Sequence, residues 1–173
     1  MKGDGKTIAS VNLGKLTVKP GEQSGRIEVP LENPRLWSPE EPYLYYLSLA
    51  LEDAGTVKTA HTERFGYRDF KVKGKDFYLN GRRLYLFGEN LPSVNYGGVG
   101  AGEEAEKRAL AKKMLDFRSQ GYNIIRNPHH PIIPLALEVA DEVGMMVYNE
   151  WAWAFTNIIA EEEFEKRNLA ELA

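Results

Sequence analysis

Three short clusters in the chain carry side chains able to do chemistry. Glu89 and Asn90 close the run LYLFGEN; Arg126, His129 and His130 lie in IIRNPHHP; Asn149, Glu150 and Trp151 end VYNEW. Carboxylates, a guanidinium, imidazoles, an amide and an indole brought to one place would suit a polyhydroxylated ligand. The polar groups would meet its hydroxyls and the aromatic face its C–H surface. Each residue also has a plainer reading. Arg126 and Glu150 would pair as a structural salt bridge across neighbouring strand ends. Asn90 would be a turn residue, and Trp151 and Trp153 would pack in a core. His129 and His130 are adjacent and so point in different directions. With three histidines and no cysteine in the chain, a metal site is not expected.

Two other patterns carry less. GGVGAG at residues 97–102 precedes a helix but lacks both the Lys-Ser/Thr ending of a phosphate loop and dinucleotide spacing, so it reads as a loop. No Gly-x-Ser-x-Gly elbow is present.

Patterning says which elements would position the clusters. Up to about Phe70 the runs GKLTVKPG, GRIEVPLENP, PYLYYLSLALED and TVKTAHTERFGYRDF, bounded by Gly, Pro, Asn and Asp, predict strands. Tyr45, Leu47, Leu49 and Leu51 alternate with Tyr46, Ser48 and Ala50, as in a strand covered on one side within a sandwich. An immunoglobulin-like sandwich has about seven strands over about 100 residues, so the first part of one is expected to lie outside this segment. Asn80-Gly81 between apolar runs predicts a type I′ hairpin, and Leu84 to Phe87 a strand buried on both faces.

The period then becomes helical. Ala111, Met114, Leu115 and Arg118 share a helical face ending at Gly121, and residues 123–126 predict a strand. IIPLALEVADEVG predicts a second helix stopped by Gly144, with two of Glu138, Asp141 and Glu142 expected to face solvent rather than do chemistry. MMVYNEW predicts a third strand and EEEFEKRNLAELA a third helix. Alternating strand and helix predicts parallel β/α units, whose active face lies at the C-terminal strand ends. Periodicity alone fits either the start of a (β/α)8 barrel or a small open sheet, since a closed barrel takes roughly 250 residues.

Bulk properties set limits. A formal net charge of -3 without a basic stripe argues against nucleic acid and anionic membranes as partners. No run is long and apolar enough for a membrane span or a leader peptide, so a cytoplasmic location is the expectation.

Four segments together resemble the family 2 glycoside hydrolases, which include β-galactosidases, β-glucuronidases and β-mannosidases. NPRLWSPEEPYLYYLSLAL is similar to the end of the immunoglobulin-like domain that precedes the family's catalytic barrel. RFGYRDFKVKGKDFYLNGRRLYLFGEN resembles its junction into the first barrel strand. GYNIIRNPHHP resembles its second-strand motif and DEVGMMVYNEW its third. The resemblance implies a multidomain β then α/β chain. Residues 1–70 would be the C-terminal part of an immunoglobulin-like β-sandwich, and residues 71–173 the first three β/α units of an incomplete TIM barrel.

It also implies a retaining hydrolase acting on a β-linked carbohydrate without cofactor or metal, with a homo-oligomer possible for the full-length protein. Arg126, His129, Asn90 and Glu150 match substrate-pocket positions, and Trp151 follows them. Glu150 matches a supporting residue, so Asn149-Glu150 only imitates the family's catalytic Asn-Glu pair. Both catalytic carboxylates are expected beyond residue 173, and the isolated chain is expected to be inactive. The loop NLPSVNYGGVG, His130 and the stretch WAWAFTN depart from well-known members, and these loops read the sugar. Two other readings stand beside this one. One is a non-catalytic carbohydrate-binding or scaffolding module; the other is an open-sheet enzyme using Glu150 and His129 as acid and base.

Overall fold

The computed structural model describes residues 7–15, 17, 20–21, 24–90, 102–128 and 131–150. The chain divides into two compact units, Met1–Tyr85 with Asp141–Gly144, and Leu86–Ala140 with Met145–Ala173. Among the described residues no helix is long and apolar enough to cross a membrane.

In the first unit, β1 (Tyr45–Asp53) and β2 (Thr56–Phe65) form an antiparallel hairpin. Its two-residue turn, Ala54-Gly55, takes positive φ at both positions (49° and 77°), as a type I′ turn requires. Across the strands Tyr45 stacks on Phe65 with ring centroids 5.7 Å apart, and the Ser48 and Thr62 hydroxyls meet at 3.0 Å. The described residues of GKLTVKPG and GRIEVPLENP form no strand, which corrects the expectation that these two runs are strands. Nor is the alternating face of β1 covered: Leu47, Leu49 and Leu51 stay 46, 45 and 41% exposed.

A second sheet of the same unit is the meander β3 (Phe70–Lys73), β4 (Asp76–Leu79) and β5 (Arg82–Leu84). Asn80 and Gly81 close β4 onto β5 with φ of 53° and 78°, the predicted type I′ turn. Asn80 does more than turn the chain. Its Oδ1 accepts the Asp69 N–H (3.0 Å), and its Nδ2 donates to the Trp37 carbonyl (3.0 Å). Asn80→Gly keeps the backbone conformation but removes both bonds. A loss of about 1–3 kcal/mol in urea unfolding is expected, with the hairpin retained by circular dichroism. An unchanged midpoint would reduce Asn80 to its turn role.

Trp37 is the centre of this unit, 2% exposed. Its N–H donates to the Tyr67 carbonyl at 2.7 Å, its Nε1–H to the Asp141 carbonyl at 2.9 Å, and Arg68 lies 5.3 Å over its ring. Gly66 passes so close that a Cβ there would lie 3.0 Å from the Trp37 Cβ. The sequence around it is shaped to present it. Ser38 Oγ accepts the Glu41 N–H, the Arg35 guanidinium bonds the Glu41 carboxylate, and Arg35 N–H donates to the Tyr45 hydroxyl.

The second unit holds a parallel sheet in the order β6 (Gly88–Asn90), β7 (Ile124–Asn127), β8 (Met146–Asn149). The helices α1 (Glu103–Ser119) and α2 (Pro134–Val143) link them. The Gly stops work as predicted. Gly121 (φ 92°) donates to the Arg118 carbonyl and Tyr122 to that of Phe117, a Schellman motif. The accompanying apolar contact is Phe117 against Tyr122, 5.3 Å between ring centroids. Gly144 (φ 75°) ends α2 in the same way, with Met145 N–H on the Ala140 carbonyl at 2.9 Å.

Leu110, Met114, Ile125, Ala136, Val139, Ala140 and Met145 make the core of this unit, each at most 2% exposed. Two expectations change here. The buried face of α1 runs through Leu110 and Met114, while Leu115 is 49% exposed. Leu84 to Phe87 is not a doubly buried strand. Leu84 ends the antiparallel β5, Tyr85 is 82% exposed, and the first parallel strand begins only at Gly88. A short apolar run does not say which ladder it joins; the Asn80-Gly81 turn commits Leu84 to β4. The predicted third helix lies outside the described residues.

Candidate functional site

Register decides which side chains meet. Asn90 pairs with Arg126 and Arg126 with Tyr148, so the three stand abreast on one face of the parallel sheet. Gly88, Ile124 and Met146 form the row before them on the same face, because side chains alternate along a strand. Two residues past Tyr148, Glu150 follows the end of β8. Ile125 and Asn127 point the other way and are buried (0 and 2% exposed).

The open face borders a concavity of about 460 Å³ whose lining includes Gly88, Asn90, Ile124, Arg126, Tyr148 and Glu150. Gly88 makes this narrow floor possible, since a Cβ there would fall 2.4 Å from the Ile124 carbonyl oxygen. Arg126 organises the rim. Its Nε–H donates to the Glu150 carboxylate, and its Nη1 donates to Asn90 Oδ1 at 3.2 Å. The hydrogen bond to Glu150 raises the guanidinium above its ordinary value. The result is a polar chain, amide to guanidinium to carboxylate, spanning all three strand ends. Glu89 joins by accepting the Asn90 N–H at 2.7 Å.

Of the residues singled out in the sequence, Asn90, Arg126 and Glu150 come together here. The salt-bridge reading of Arg126 with Glu150 describes the same contact, and the two readings are compatible. His129, His130, Trp151 and Trp153 lie outside the described residues. Asn149 does not join the group: its Oδ1 accepts the Ile132 N–H at 2.8 Å and so holds the segment leading into α2. Glu138 and Asp141 are exposed, the two of three expected to face solvent, while Glu142 is half-buried and accepts from Arg64 at 2.7 Å. Tyr148, 56% exposed on the concave face, was not foreseen. Its place two residues before Glu150 was the available signal.

Residues 2–68 match the family described as Glycosyl hydrolases family 2, and residues 70–169 match that family's TIM barrel domain. The chain is 35% identical over 124 residues to a putative β-glucuronidase of Formosa agariphila, covering 71% of this chain and 15% of that protein. It is 26% identical over 148 residues to a β-galactosidase of Halalkalibacterium halodurans, covering 85% and 14%. Among solved structures, apo β-glucuronidase 3 of Bacteroides uniformis aligns with a TM-score of 0.63 and 33% identity over 80% of this chain and 18% of that one. The chain thus spans about a seventh of these two curated relatives. Together the matches run from a β-sandwich part into the opening of a TIM barrel, in the order the sequence motifs implied. The chain belongs to glycoside hydrolase family 2.

Proposed function

We propose that this chain supplies one wall of the sugar pocket of a retaining β-glycosidase, with the two catalytic carboxylates contributed from outside these 173 residues. The observation that carries the reading is the hydrogen-bonded chain Asn90–Arg126–Glu150 at three adjacent parallel strand ends, facing an open concavity. That is where β/α barrels do their chemistry. Retaining hydrolysis needs an acid to protonate the leaving oxygen and a nucleophile about 5–5.5 Å from it. Glu150 is engaged by Arg126, which suits an orienting group rather than either of those. His129 and Trp151 complete the proposed wall, the imidazole for a hydroxyl and the indole for a C–H face. The boundary between sandwich and barrel is placed at residues 70/71. The break between the two family matches supports it, although compactness groups β3–β5 with the first unit.

The names of the relatives make β-glucuronides and β-galactosides the first substrates to try. With 4-nitrophenyl β-D-glucuronide and 4-nitrophenyl β-D-galactoside, the purified chain is expected to release no nitrophenol. Ligand-observed NMR should still detect millimolar binding of one of them, lost in Arg126→Met and Glu150→Gln. Hydrolysis abolished by Glu150→Gln would instead favour a self-contained enzyme and overturn the proposal. Binding unaffected by either change would remove Arg126 and Glu150 from the pocket.

A further inference from the structure

Asn80-Gly81 is the one Asn-Gly step in the chain. An asparagine followed by glycine can lose its side-chain amide without any enzyme. The Gly81 nitrogen attacks the Asn80 Cγ and gives up its proton, and ammonia leaves as a succinimide ring closes. Water then opens the ring at either carbonyl. The product is aspartate, or an isoaspartate whose main chain runs through the former side chain. Glycine favours closure because no side chain hinders the approach of its nitrogen.

The fold withholds the geometry that closure needs. Asn80 N–H donates to the Asp69 carbonyl at 2.8 Å, and Asp69 N–H donates in return to Asn80 Oδ1 at 3.0 Å. Asn80 Nδ2 donates to the Trp37 carbonyl at 3.0 Å. The amide is thus engaged at both ends by residues of its own compact unit. Its Cγ can meet the Gly81 nitrogen only when the side chain leaves these partners. Space and water are not what restrain the reaction. Gly81 is exposed, with nothing within 4 Å of where a Cβ would stand, and Asn80 is only half-buried.

We propose that Asn80 is a fold-gated deamidation site. The bonds to Asp69 and Trp37 suppress ring closure while the turn is shut, and reaction of the opened turn prevents it from shutting again. Aspartate sets a carboxylate oxygen, an acceptor, against the Trp37 carbonyl where Nδ2 now donates. Isoaspartate adds a backbone carbon to the turn that pairs Leu79 with Arg82. Either product leaves the first unit without a bond it now makes, so a reversible opening becomes an irreversible one.

Peptide mapping by mass spectrometry reads the reaction as the amide-to-acid mass increase at residue 80. The full chain is held at one temperature and one mildly alkaline pH, in buffer and in urea that unfolds it. Conversion is expected to be about thirtyfold slower in buffer, the factor that two ordinary hydrogen bonds imply. Equal rates would show that the grip does not protect the amide. Faster conversion in buffer would show that the Asp69 N–H activates it. Either result overturns the proposal. The converted chain, separated by its added negative charge, is then unfolded beside the unconverted one, and a lower urea midpoint is expected. An unchanged midpoint would mean that the turn recloses after reaction and would overturn the irreversible step. Asn80→Asp supplies the aspartate product in quantity, and the same lowered midpoint, or failure to fold, is expected of it.

Discussion

Trp37→Ala is expected to lower the stability of the chain by about 3–5 kcal/mol, the range for emptying a buried tryptophan site. The residue is 2% exposed, and its loss leaves Gly66 and Arg68 facing a void. It also deprives the Asp141 carbonyl of the Nε1–H donor. The backbone bonds to Tyr67 and from Asn80 survive in principle, because they use the main chain of residue 37. Set against a typical domain stability of roughly 5–15 kcal/mol, the loss would leave little folded chain at modest urea concentrations. Urea unfolding followed by far-ultraviolet circular dichroism measures it. Trp37→Phe separates the two contributions, since it refills most of the volume without the N–H. A wild-type midpoint for Trp37→Ala would mean that this part of the chain is not organised around the indole.

The second large effect belongs to a residue without a side chain. Gly88→Ala would place a methyl 2.4 Å from the Ile124 carbonyl oxygen and 2.5 Å from its Cγ2. The first of these is backbone in the neighbouring strand and cannot rotate away. Overpacking of this kind costs about 1–3 kcal/mol when neighbours can shift. Here the shift available is separation of β6 from β7, a ladder of three paired residues. The expected result is therefore local loss of the ladder rather than global unfolding. Amides of residues 88–90 should lose protection, and Asn90 should leave Arg126 Nη1. Any sugar binding by the Arg126 wall should fall with it, while the hairpin of β1 and β2 remains unchanged. Proton exchange resolved by residue distinguishes these outcomes. Retained protection at residues 88–90 would show that the sheet absorbs the methyl.

Much of this protein could be read directly from its residues, and the successful readings share a cause. The Asn80-Gly81 turn, the stops at Gly121 and Gly144, and the change from period two to helical period depend on a few consecutive residues. Left-handed φ is a property of the residue itself, so glycine and asparagine announce it without help from the fold. The order of motifs was likewise sufficient to reach the family, and the matches agree with it. Composition placed Arg126, Asn90 and Glu150 among the candidates, and the C-terminal strand-end rule put them on the same side.

Tertiary structure decided what those residues touch. Arg126 meets Glu150 across 24 residues and Asn90 across 36, and both contacts depend on register between strands that local preference does not set. A slip of one residue would have turned Arg126 into the buried face now occupied by Ile125. The same dependence exposed Leu115 and buried Leu110, gave Leu84 to an antiparallel ladder, and turned Asn149 towards Ile132 instead of the concavity. Trp37 lay unmarked in LWSP because its partners are distant: the indole's Nε1–H bonds a residue 104 positions away, and its carbonyl accepts from Asn80, 43 away. Short-range conformation follows from backbone sterics at each residue, whereas pairing across the chain follows from which apolar faces can be buried together. The first is written residue by residue; the second exists only once the chain has folded.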